Sequence, residues 1–252
     1  MQDTFAITIL FIFICTLFGA FIKGRSKDRC LNDFSDFPVT LKREDGKIVW
    51  GRCRIENSGL ELVYDKPHLD ADDGHIEKSY ILYKAEFGAI RAIARYVDAL
   101  SSEELKIRDK VLKRTIEPSL YSVFLRKIRN IFGTIRDSIM EVASLLLGRM
   151  KTAHPGAKIL QGQDKYISQI QQQSISAVGT SYEPILERYI GKKMVLDVKE
   201  GDQRKECTGI LKDYTIEFIE ILDTDFACEE GQLSRKADLI VPRNIGIVRH
   251  SG

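Results

Sequence analysis

The chain contains no P-loop, no GxGxxG turn, no GxSxG elbow and no HExxH pair. Those motifs carry phosphate cradles, serine nucleophiles and catalytic zinc, so the sequence offers no footing for those chemistries. Histidine is scarce. His68, His75, His154 and His250 are the full set, and none stands beside a Ser or Cys in a nucleophile arrangement. The five cysteines (Cys15, Cys30, Cys53, Cys207 and Cys228) are scattered, odd in number and without CxxC spacing. That pattern excludes a disulfide framework and a zinc ribbon, and predicts isolated reduced thiols. An excess of one charge is missing too. Lys and Arg number 38 against 36 Asp and Glu, a net +2, so no global field draws nucleic acid. These absences predict neither catalytic residues nor a cofactor, and a chain that is not an enzyme.

What is present begins with one long apolar run. Phe5–Ile22 carries no charge over eighteen residues, with Phe5, Leu10, Phe13, Leu17 and Ile22 spread along it. As a helix it reaches roughly 27 Å, close to the thickness of a bilayer core. Lys23, Arg25, Lys27 and Arg29 follow it, and only Asp3 precedes it. This predicts a signal-anchor with the N-terminus outside an inner membrane and the remainder cytosolic. Cleavage near Gly19 and Ala20 is the alternative.

A second apolar pattern lies at the centre of the chain. Tyr121, Leu125, Ile128, Phe132, Ile135, Ile139, Val142 and Leu146 recur at alternating spacings of four and three. Phe124, Ile131 and Leu145 widen the stripe, and Arg126, Lys127 and Arg129 lie off it. The spacing predicts an amphipathic helix of about nine turns over Ser119–Lys151. Its apolar face needs another helix, a second copy of the chain or a membrane surface. Lys23, Arg25, Lys27, Arg29, Arg126, Lys127 and Arg129 are the candidates for lipid headgroup contact.

On either side of that helix the periodicity shortens to alternating strands. Around Asp45-Gly46 and Asn57-Ser58-Gly59 the chain reads strand, turn, strand, turn, strand, and residues 194–222 repeat the pattern around Gly201-Asp202. At one fixed offset Gly51 falls on Gly209, Leu60 on Phe218, Asp65 on Asp223, and Phe87-Gly88 on Ile245-Gly246. The match predicts an internal repeat covering 37–91 and 194–249. Each copy resembles an Sm-like or SH3-like small β-barrel in its turn, its mid-strand glycine and its short return pair. The resemblance implies a small-barrel fold and self-association. Sm-like proteins also bind RNA, which makes a tethered RNA-binding protein the alternative, although a basic, aromatic-rich face for RNA is not evident here.

The remaining segments connect these parts. His68, Asp70, Asp72, Asp73 and His75 cluster in a loop whose ligand types suit a divalent metal, but without EF-hand spacing. Ala92 to Leu100 is apolar at helical spacing, and Ser101 with Glu104 forms a capping-box pattern opening a helix that ends before Pro118. The sequence therefore predicts an α+β protein with an N-terminal transmembrane helix and two duplicated small β-barrels separated by a long amphipathic helical region. The expected divisions are an anchor over 1–29, barrels over 30–91 and 182–252, a helical region over 92–151 and a Gln/Ser-rich connector over 152–181. The expected role is a membrane-anchored scaffold that self-associates, with lipid and other proteins as partners and nucleic acid not expected.

Overall fold

A computed structural model describes residues 27–69, 74–131, 133–135, 138, 182–200, 203–229 and 231–251. Strands β1 (Pro38–Arg43), β2 (Ile48–Glu56), β3 (Gly59–Leu69), β4 (Ile76–Tyr83) and β5 (Ile90–Tyr96) form its first half. Strands β6 (Lys193–Glu200), β7 (Gln203–Tyr214), β8 (Phe218–Phe226), β9 (Arg235–Pro242) and β10 (Gly246–Ser251) form the second. The helices are α1 (Arg29–Asn32), α2 (Ser102–Ile116), α3 (residues 120–131) and α4 (Pro184–Tyr189).

Local chemistry sets the first turn. Gly46 takes φ +83°, and the Asp45 carboxylate accepts the Lys47 N–H at 3.0 Å. In β1 the inward positions are Val39 and Leu41, and in β6 they are Met194, Leu196 and Val198. Mid-strand glycines then admit the next strand at close quarters. A Cβ on Gly51 would lie 2.7 Å from the Val63 carbonyl oxygen, and one on Gly209 2.7 Å from that of Leu222.

All ten strands belong to one antiparallel sheet, ordered β10-β6-β7-β8-β9-β5-β1-β2-β3-β4. This corrects the expectation of two separate small barrels in an α+β chain. The joint is β5 against β9, where Ile93 faces Ile240 and Ala94 faces Leu239. Both strands are largely buried on both faces, so pairing them covers what two isolated barrels would leave wet. Within the single sheet one strand order occurs twice, β5-β1-β2-β3-β4 and then β10-β6-β7-β8-β9.

The joint also divides the core. Ala92, Ala94 and Tyr96 point into a cluster with β6, β7, β8 and β9. Ile90 and Ile93 point into the cluster of β1, β2 and β3, joined there by Phe218 and Ile240 from the second half. A bulge opposite Lys42 and Arg43 brings Ile90 to the same side as Ile93. The run Ala92–Leu100, expected as helix, is therefore the end of β5 and a 3₁₀ turn, Val97–Ala99. A strand covered on both faces reads as a continuous apolar run, which helical spacing can mimic.

Membrane spanning and single-pass placement are corrected as well. Among the described residues no helix is long and apolar enough to cross a membrane. The stretch Phe5, Leu10, Phe13, Leu17 and Ile22, on which that expectation rested, lies outside the described residues.

One glycine fastens α2 to the second half. Gly191 follows α4 with φ +80°, and a Cβ there would come within 2.4 Å of the Thr115 carbonyl oxygen near the end of α2. Gly191→Ala is expected to destabilise by about 2 kcal/mol or more, through left-handed strain and this collision. A denaturant midpoint equal to wild type would refute the expectation.

Candidate interaction site

Helix α2 opens with a capping box. The Ser101 hydroxyl accepts the Glu104 N–H at 3.3 Å, and the Glu104 carboxylate accepts the Ser101 N–H at 2.8 Å. Seven residues on, Arg108 reaches into the sheet. Its Nε and Nη2 donate to the Asp238 carboxylate at 3.0 and 2.9 Å, and Nη2 also reaches Asp223 at 3.3 Å. Asp238 sits on β9 directly opposite Arg95 of β5. Arg95 donates to it through Nε and Nη2 at 3.2 and 2.8 Å, and the Asp223 N–H adds a further bond at 3.0 Å. Asp223 takes φ +58° at a bulge in β8, which turns its N–H toward Asp238.

Asp238 and both arginines are buried. Burial alone would raise the Asp238 pKa. The hydrogen bonds from Arg108 and the charge of Arg95 outweigh that and hold it below the usual carboxylate range. Burial would lower the Arg108 pKa, but Asp238 and Asp223 raise it instead. The Arg95 guanidinium lies against the rings of Phe34 and Phe37, 4.4 and 4.5 Å from their centroids. Its Nη1 donates to the Asp33 carbonyl at 3.0 Å, tying the segment after α1 to the joint.

A second buried charge lies beside the first. Lys212 donates to Glu220 at 2.9 Å and also to Asp33. Glu220 is fully buried, and its second carboxylate oxygen has no hydrogen-bond partner. Burial pushes its pKa up to about 8, with the Lys212 ammonium offsetting part of the rise.

These contacts fix α2, and α3 follows it after Pro118. Helix α3 meets the sheet through its polar side. Arg126 lies 3.9 Å from Glu187 of α4, and Arg129 lies 3.8 Å from Asp213 of β7, which also pairs with Arg29 at 3.3 Å. Burial draws the Arg129 pKa down, partly offset by Asp213. The apolar side is left open: Tyr121 is 71% exposed and Leu125 46%, with Leu120, Phe124, Ile131 and Ile135 also exposed.

The expected seam residues are thus placed in part. Tyr121, Leu125 and Ile135 face solvent, and Ile128 is half-buried. Phe132, Ile139, Val142 and Leu146 lie outside the described residues. Of the headgroup candidates, Arg126, Arg129 and Arg29 point to carboxylates, and Lys27 lies 3.6 Å from Glu56. Lys127 is exposed, and Lys23 and Arg25 lie outside the described residues. In the acidic loop, His75 is exposed and 3.6 Å from Glu77, while Asp70, Asp72 and Asp73 lie outside the described residues, and His68 is described only as backbone in β3. No group of three metal-ligating side chains occurs among the described residues.

Sequence reasoning missed Asp238, Arg95 and Arg108. For Arg95 and Asp238 the signal was a charge deep within each of two largely apolar strands, Ile90–Tyr96 and Arg235–Pro242, where an unpaired charge is too costly to keep, whereas Arg108 on α2 carried no such signal.

A shallow hollow of about 630 Å³ opens over β1 and β2, lined by Trp50, Tyr96, Cys228 and Arg235 among others. Trp50, the single tryptophan, is exposed on its rim. Cys30, Cys53, Cys207 and Cys228 are all buried. Burial raises their thiol pKa values, to about 12 for Cys53 and about 11 for Cys207, so these are packing residues and not nucleophiles.

No protein family, no curated protein and no solved structure matches the chain.

Proposed function

We propose that this chain is a self-associating assembly protein, with the outward face of α3 docking on the same face of a second copy. The observation that carries the reading is the orientation of α3. Its arginines are engaged by Glu187 of α4 and Asp213 of β7, and exposed apolar residues of its stripe such as Tyr121 and Leu125 lie on the open side. The heptad spacing from Tyr121 to Leu146 supports a second copy as occupant. Such a stripe is self-complementary: the same helix from another chain supplies the matching knobs and holes.

The test compares two charge substitutions two residues apart on α3. Leu125→Asp places a carboxylate on the stripe, and Lys127→Asp places one on exposed surface beside it. By analytical ultracentrifugation Leu125→Asp is expected to sediment as a smaller species than wild type, with an unchanged melting temperature. Lys127→Asp is expected to match wild type in both respects. Equal masses for the two variants would remove the helix from the interface. A fall in melting temperature for dilute Leu125→Asp would instead make the stripe part of the chain's own core.

A further inference from the structure

Helix α1 precedes the first half in sequence but lies over β7 and β8 of the second. Its side chains Cys30 and Leu31, with Phe34 just after, are buried in the cluster that also takes Phe218. Polar ties hold each end of it down. Arg29 donates to the Tyr214 carbonyl at 2.8 Å and stands 3.3 Å from Asp213. At the other end Asp33 receives the ammonium of Lys212 from β7. Phe34 and Phe37 then lie on the Arg95 guanidinium, so this segment roofs part of the Asp238 cluster.

The tie at Asp33 is not balanced in charge. Asp33 and Glu220 of β8 are two carboxylates sharing the one ammonium of Lys212. Asp33 is partly exposed, whereas Glu220 is fully buried and its Oε2 has no partner. Arg95 of β5 is the other cation near Glu220, and it is committed to Asp238 and to the Asp33 carbonyl. Cys30 of α1 is the remaining titratable group close by, and Ile240, opposite Glu220 on β9, is apolar.

We infer that α1 with Asp33 is a strap, held against the sheet while Glu220 carries a proton and released when that proton leaves. With Glu220 neutral, Lys212 answers a single anion, the strap's own Asp33. With Glu220 ionised, two anions crowd one ammonium, and a buried carboxylate oxygen is left without a donor. Water satisfies that oxygen only if the covering segment lifts, and Asp33 is the repelled partner nearest the surface. The sign follows from burial, which raises the folded Glu220 pKa to about 8 from 4.5. Docking of the strap is fully supported below the ordinary value and is lost as pH rises through the folded one. The strap is a separate device from the α3 face and does not depend on it.

Cys30 reports the strap, because its thiol is buried against the Phe218 carbonyl and meets solvent only when α1 lifts. Cys207 of β7 lies in the other core cluster and reports opening of the sheet itself. The full chain is treated with iodoacetamide at pH 6 and pH 8, and each cysteine is followed by mass spectrometry of its peptide. Glu220→Gln, which cannot ionise, is treated alongside, so the ordinary rise of thiol reactivity with pH cancels. Between the two pH values the wild-type rate at Cys30 is expected to gain about tenfold or more over that of the variant, with Cys207 alike in both. Asp33→Ala, which removes the strap's anchor, is expected to expose Cys30 already at pH 6 while Cys207 stays protected. Equal Cys30 rates in wild type and Glu220→Gln at both pH values overturn the inference. Acceleration of Cys207 together with Cys30 overturns it too, since the sheet would then be opening as a whole.

Hydrogen exchange in the wild-type chain decides if Glu220→Gln does not fold. The Asn32 and Asp33 amides donate to the Asp28 and Arg29 carbonyls within α1. After correction for intrinsic exchange, they should lose about tenfold of protection from pH 6 to pH 8. Protection that does not change with pH refutes the strap.

Discussion

Asp238→Ala is expected to lower the unfolding free energy by about 3–5 kcal/mol, the range measured when one partner of a buried ion pair is removed. The carboxylate accepts from Arg95 and the Asp223 N–H within the sheet and from Arg108 of α2. Without it two buried guanidinium groups face one another with only Asp223 and Asp109 beside Arg108 and the Asp33 carbonyl beside Arg95, and much of their desolvation is left uncompensated. Asp238→Asn keeps the shape and one acceptor oxygen, so its loss should be smaller. Urea denaturation of the three proteins checks the order, and a loss under about 1 kcal/mol for Asp238→Ala would mean water reaches the arginines. The sign with pH follows from the lowered Asp238 pKa. Its stabilisation is present above the ordinary carboxylate range and disappears as pH falls through the folded-state value.

Glu220 should behave in the opposite sense. Its pKa stands at about 8 in the folded protein, against an ordinary 4.5. Between those values the folded chain holds a proton that the unfolded chain has released. Stability therefore falls as pH rises through that window. Glu220→Gln removes the titration while keeping a side chain that can accept from Lys212. The variant is expected to show a flatter stability profile from pH 5 to 8 and to exceed wild type at pH 8.5. An unchanged slope would show that Lys212, 2.9 Å away, keeps the carboxylate ionised.

The parts of this fold legible from sequence are those governed by local rules. The Asp45-Gly46 turn, the capping box at Ser101 and Glu104, and the end of a helix before Pro118 each depend on a few adjacent residues, and each is present. The β5–β9 joint depends on residues such as Ile93 and Ile240 that meet only after folding. Sequence periodicity reports how many faces a strand buries, not which strand covers it. For Ala92 to Leu100 it also failed to separate strand from helix. The stripe of α3 was visible as a pattern, whereas its outward direction required Glu187 and Asp213 to be in place. The Asp238 cluster was out of reach for the same reason. Arg95 and Asp238 are 143 residues apart, and nothing local to either announces the other.

The central joint also sets an order on synthesis. Ile93 meets Ile240 across 147 residues of chain, so on the ribosome β5 waits for β9. At translation rates of 5–20 residues per second the wait is about 7–30 seconds. Throughout it Ala94 and Tyr96 have none of the second-half residues that later cover them, and Arg95 has no Asp238. The nascent first half is thus at its most adhesive before its own second half exists to occupy the strand.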